Sequence, residues 1–174
     1  MTLDELQIQL DVSSGNEIEV LKQHTCNISN GYLFVDSSNG HCYLYDIYGK
    51  LDDISKVKSI GKWAFESCIS LKSIIIPDSV KSIGDSAFID CISLESIVIP
   101  DSVKCIGEWA FAGCTSLKSI IISNSAKKIG DWAFGYCTSL KEVIFKGKTI
   151  DQVNAMDNYP WGIEDISIIK CQMS

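Results

Sequence analysis

The sequence predicts a solenoid of short stacked repeats, built from strands and turns and closed at each end by a segment of different pattern. Three observations predict it. The phrase "IGKWAFESC" at Ile60 returns as "IGDSAFIDC" at Ile83, "IGEWAFAGC" at Ile106 and "IGDWAFGYC" at Ile129, a period of 23 residues. Between these phrases, apolar residues alternate with polar ones at the two-residue spacing of a strand, as in "LKSIIIP" from Leu71. The period fades on both sides, before Val57 and after Phe145.

Each repeat is justified by the same physics. In "LKSIIIP", alternation sends Leu71, Ile74 and Ile76 inward and leaves Ser73 and Ile75 on the strand surface. A second short extended piece, "VKSI", follows the "PDS" turn. Gly84 then releases the chain into a helical turn that points Ala87 and Phe88 inward, and glycine suits a corner that demands positive φ. One coil cannot bury its own apolar edge, so neighbours stack and equivalent side chains form ladders. Phe65, Phe88, Phe111 and Phe134 make one, and Cys68, Cys91, Cys114 and Cys137 another.

A fixed period between 20 and 29 residues with leucine opening each unit is the pattern of a leucine-rich repeat. The phrasing "IPDSV" followed by "IG..AF..C..L" resembles the BspA-like leucine-rich repeat family over about residues 57–146. The resemblance implies a right-handed β/α superhelix of about four 23-residue repeats, and a role in adhesion or surface recognition. It divides the chain into a β-rich N-terminal capping segment (1–56), the repeats (57–146) and a mixed C-terminal cap (147–174).

Solenoids need caps to cover the core cross-section and the unpaired edge. "LQIQLDV" alternates strictly and is set to pair with "EIEV" across "SSGN". A second hairpin joins "YLFV" to "CYLY" through a turn containing Asn39-Gly40. Alternation predicts Tyr32, Phe34, Tyr43 and Tyr45 on one face and Leu33, Val35, Cys42 and Leu44 on the other. One face packs on the first coil, and the other is either covered by the first hairpin or offered to a partner. Past Phe145, residues 149–156 read as a short helix, Pro160 and Gly162 as a turn, and "ISIIK" as a returning edge strand. This segment resembles the closing piece found after BspA-like repeats.

Composition narrows the function. The chain has 174 residues, 46% of them apolar, enough for one buried core. Its net charge of −7 lies at the ends, since residues 1–56 hold nine Asp and Glu against three lysines, whereas residues 57–149 hold nine against eleven. All fifteen basic residues are lysines, so no guanidinium fork is available for phosphate or guanine, which argues against nucleic-acid binding. No apolar run approaches a membrane span and the N-terminus has no export-signal pattern. These features favour a cytoplasmic or phage-borne protein over an exported one. Four cysteines at the repeat period suggest one structural role repeated, with reduced, buried thiols in a reducing compartment.

For catalysis the inventory is poor. His24 and His41 are the only histidines, and their nearness to Cys26 and Cys42 is a sequence neighbourhood without an oxyanion donor. A linear ladder of sulfurs cannot converge on a metal. No catalytic, metal or cofactor residues are expected.

For binding, the outward strand row Ile75, Val98, Ile121 and Ile144 is apolar, with Ser73, Ser96, Ser119 and Glu142 beside it. Strand propensity alone explains Ile and Val there; partner contact is the alternative reading. Trp63, Trp109 and Trp132, a row broken by Ser86, either shield the ladder beneath or anchor an interface. The aromatic hairpin residues Tyr32, Phe34, Tyr43 and Tyr45 are further binding candidates. Lys62, Asp85, Glu108 and Asp131 read as an ordinary solvated face. The expectation is a non-catalytic protein-interaction module whose partner is an apolar protein surface or a second copy of the chain. The alternative is an intracellular or phage-borne acidic inhibitor of an enzyme or nuclease, whose acidic ends mimic a polyanion.

Overall fold

The structure, a computed structural model, describes residues 59–173 apart from 70 and 77, together with the backbone course of three earlier strands. Those strands are β1 (Cys26–Ser29), β2 (Tyr32–Asp36) and β3 (His41–Asp46). The pairing expected for "LQIQLDV" and "EIEV" lies outside the described residues.

The repeats form two stacks of short parallel strands. One stack is β4 (Ser59–Ile60), β6 (Ser82–Ile83), β8 (Cys105–Ile106) and β10 (Lys128–Ile129). The other is β7 (Ser96–Ile99), β9 (Ser119–Ile122), β11 (Glu142–Lys146) and β12 (Ile169–Gln172), preceded in the first described coil by β5 (Ser73–Ile74), which pairs as a strand with β3 and not with β7. Register in this second stack is strictly in phase: Ile97, Ile120, Val143 and Ile169 are successive partners. β12 therefore adds a fifth rung where about four repeats were expected. A short helix, α1 (Ile150–Asn154), precedes it, opened by a capping box between Thr149 and Gln152.

The side opposite the longer strands departs from the expected helical turns. Each coil runs there through hydrogen-bonded turns, and two residues four apart take the left-handed conformation: Trp63 and Ser67, Ser86 and Asp90, Trp109 and Gly113, Trp132 and Tyr136. Left-handed residues interrupt a right-handed helix. Their backbone N–H groups instead reach the next coil, from Trp63 to the Asp85 carbonyl at 3.1 Å and from Ser86 to that of Glu108 at 2.8 Å. Gly84 also differs from expectation, because its φ is not positive. A Cβ there would lie 2.7 Å from the Lys62 nitrogen and 2.8 Å from the Gly61 carbonyl carbon, so glycine is needed for close approach of adjacent coils.

The core runs down the axis as ladders. The rings of Phe65 and Phe88 stack at 4.8 Å, Phe88 and Phe111 at 5.1 Å, and Phe111 and Phe134 at 5.9 Å. Trp161, fully buried, then meets Phe134 edge-on at 6.5 Å, and its carbonyl accepts from the Phe134 N–H. That carbonyl occupies the place filled in earlier coils by Ala87, Ala110 and Ala133.

The thiols form a second ladder. Sγ of Cys91 donates to the Phe65 carbonyl at 3.0 Å, Cys114 to Phe88 at 3.1 Å and Cys137 to Phe111 at 3.1 Å. Burial pushes the Cys91 and Cys137 thiols up to about 12 and Cys114 further up. The expectation of four reduced thiols fails at Cys68, which is disulfide-bonded to a residue outside the described side chains.

Candidate functional site

The outward residues of the longer strands fall into straight rows because the parallel register has no slip. Val98 lies opposite Ile121 and Ile121 opposite Ile144, while Ser96 lies opposite Ser119 and Ser119 opposite Glu142. Ile75 is 86% exposed and Val98 56% exposed, whereas Ile121 and Ile144 are half-buried. The row meets Lys170 on β12, so a charge ends it.

Beside the row, Lys118 and Glu95 form an ion pair at 2.7 Å. The hydrogen bond from Lys118 holds the Glu95 carboxyl below the usual range. On the other side an open groove touches Val98 and Ile121 and is lined also by Asp78, Asp101, Ser102 and Lys146. The Ser102 hydroxyl is buried without a hydrogen-bond partner among the described residues.

The tryptophan row lies on the turn flank. Trp109 and Trp132 stack at 5.5 Å with a 10° interplanar angle, and Tyr136 joins them at 6.4 and 5.8 Å. Trp132 is 40% exposed and Tyr136 63%. Trp63 stands apart across Ser86, with the Lys62 ammonium 4.3 Å over its ring. The sequence does not mark Tyr136 as part of a row, because glycine, aspartate and serine hold its position in the other coils. Its offset of four residues from Trp132 was the available signal.

The N-terminal hairpin forms between β2 and β3, but its register differs from expectation. Tyr43 is partnered by Val35 and Tyr45 by Leu33, while Tyr32 is partnered by Asp46 and Phe34 by Leu44. The four aromatics therefore do not share one set of register positions. A slip of one residue in a hairpin exchanges the two alternating sets, and alternation within each strand cannot reveal that slip. β1 pairs antiparallel with β2, and β3 pairs parallel with β5, placing His41 opposite Ser73.

Among the described residues no three of His, Cys, Asp or Glu gather as metal ligands would, and no helix is long and apolar enough to cross a membrane.

Residues 43–159 match the BspA type leucine rich repeat region in six copies, starting inside the segment expected to precede the repeats and ending inside the one expected to follow them. No curated protein matches the chain. Among solved structures it is similar to a leucine rich cell surface protein from Faecalibacterium prausnitzii, at 31% identity and a TM-score of 0.47, covering 78% of this chain and 43% of that one. A leucine rich repeat protein of T. pallidum is 21% identical with a TM-score of 0.50, covering 84% and 81%. One from Bacteroides ovatus is 24% identical with a TM-score of 0.45, covering 69% and 46%. The chain thus spans less than half the length of the F. prausnitzii and B. ovatus proteins, and its likeness to the T. pallidum protein is one of fold. With two thirds of its residues inside the repeat match, the chain belongs to the BspA-type leucine-rich repeat family.

Proposed function

We propose that the chain is a non-catalytic protein-binding module that meets its partner through the face of the longer strands. Leucine-rich repeat proteins are in general binding modules, and membership of the family supports protein–protein interaction or surface recognition. The observation that carries the reading is the exposure of Val98 in an apolar row register-locked to Ile121 and Ile144, with the still more exposed Ile75 in the coil before it. A row held by the sheet has little ordering left to lose on binding. The contact set is Ile75, Val98, Ile121 and Ile144, with Ser73, Ser96, Ser119 and Glu142 at its margin.

An aliphatic row suits an apolar protein surface or a second copy of this chain. The Cys68 disulfide is of a kind that persists in oxidising surroundings, which fits recognition outside a reducing cytosol. The acidity on which the acidic-inhibitor alternative relies lies chiefly in residues 1–56, whose side chains are outside the described residues.

The test is the paired variant Val98→Lys/Ile121→Glu, with opposite charges because like charges opposite one another destabilise a ladder. Sedimentation velocity would follow self-association, and capture on immobilised protein would follow a partner. The reading expects the variant to lose whichever association the native chain shows. Undiminished association by a folded variant would place the contact elsewhere.

A further inference from the structure

The repeats divide their charge between two sides. Segments 61–71, 84–94, 107–117 and 130–140, which form the turn flank, hold five carboxylates (Glu66, Asp85, Asp90, Glu108 and Asp131) and a single lysine, Lys62. The rest of residues 57–149 holds ten lysines against four carboxylates. The stacked rings of Trp109, Trp132 and Tyr136 sit on this acidic flank.

The coils can be compared with one another at equivalent positions. In the first, Lys62 precedes Trp63 and its ammonium lies over the ring. In the third and fourth coils the residue before each tryptophan is an acid, Glu108 or Asp131. Among the described residues no ammonium covers Trp109, Trp132 or Tyr136. One Asp131 carboxylate oxygen accepts from the backbone N–H of Trp132 at 3.1 Å, which holds the exposed carboxylate next to that residue. The first coil satisfies its ring with an internal cation, whereas the later coils present electron-rich rings and countercharges to a cation from outside.

We propose that the patch of Trp109, Trp132 and Tyr136, with Glu108 and Asp131, docks a basic segment of a protein partner. An arginine side chain is the chemistry that fits. Its planar guanidinium stacks on an aromatic surface while its donors pair with a carboxylate alongside. Tyr136 and Trp132 are exposed at the edge of the stack, so the flank offers ring surface to a side chain lying across it. This surface is separate from the strand face and stands or falls independently of it.

The experiment is titration of the full chain with a heptaarginine peptide at about physiological salt, read by calorimetry and tryptophan emission. Trp132→Ser leaves the charge unchanged, and the fold accepts serine in this row: Ser86 has φ 52° where Trp132 has 53°. Loss of the ring is expected to weaken binding roughly two- to thirtyfold. Glu108→Gln/Asp131→Asn is expected to weaken it too, while Asp78→Asn/Asp101→Asn, the same change of net charge in the turns beside the groove, leaves it unchanged. Equal weakening by both charge pairs would overturn the proposal, as would unchanged binding by a folded Trp132→Ser chain or no binding to the native chain. If Trp132→Ser does not fold, the comparison of the two charge pairs decides.

Discussion

The strand side and the turn side of the solenoid are built from the same 23-residue unit, yet they solve different problems. On the strand side the backbone is regular and hydrogen-bonded along straight ladders, so outward side chains line up in rows, and the central row is aliphatic. On the turn side, left-handed residues direct backbone N–H groups to the neighbouring coil, and the outward side chains are aromatic and acidic. Between them runs a core of stacked phenylalanines and thiols that neither surface depends on for its chemistry. The difference teaches that repetition fixes stability and spacing, while the outward positions of each side remain free to specialise.

The comparison breaks first in the core. Phe111 is fully buried between Phe88 and Phe134, so Phe111→Ala is expected to cost about 3–5 kcal/mol in urea unfolding. A cost near that of a surface change would mean the ladder does not carry the fold. Gly84→Ala should cost roughly 1–3 kcal/mol, because its Cβ would press on the backbone of Gly61 and Lys62. A neutral result would show that adjacent coils can part at no cost.

The thiol ladder sharpens the picture through pH. The folded chain holds Cys91 and Cys137 up to about 12, above the ordinary value of 9.0, so the unfolded chain releases these protons first. Their contribution is fully present below pH 9 and is lost as pH rises toward 12, at about 1.4 kcal/mol per thiol per unit. Unfolding midpoints measured across this window should fall, and Cys91→Ala/Cys137→Ala should flatten the slope. An unchanged slope in that variant would contradict neutral thiols at buried Cys91 and half-buried Cys137. A smaller effect is expected in labelling of the native chain, where exposed Cys105 should react well before Cys91 and Cys114. Rapid native labelling of Cys114 would return it to the list of reactive groups.

Much of this division was legible in the sequence, and particular residues show why. Ile74 and Ile76 are buried and Ile75 between them is exposed, as two-residue alternation requires, while Leu71 is buried from the turn before the strand, which alternation does not explain. Phe88 and Phe111 stack because a fixed period places equivalent rings one coil apart. Residues 150–154 form the expected helix inside 149–156. The turn flank was less legible, since left-handed tryptophan and serine are conformations that composition does not announce. The recurring glycines are plain in the sequence, but their reason is the approach of a neighbouring backbone that only stacking creates. The hairpin was found and its faces exchanged, because register depends on how the loop spaces the strands. The charge division was written in the sequence too, but it emerges only when acids and lysines are sorted by the side of the coil they occupy.

The most direct test of the central claim, that the strand-face row is free of the core, is equilibrium urea unfolding of Val98→Lys/Ile121→Glu beside the native chain. Both residues alternate with buried neighbours, Ile97 and Ile99 on one strand and Ile120 and Ile122 on the next. The account predicts a loss within about 1 kcal/mol, the range of surface substitutions with one half-buried member. A loss approaching that of Phe111→Ala would contradict it, because the row would then be part of the packing and unavailable to a partner.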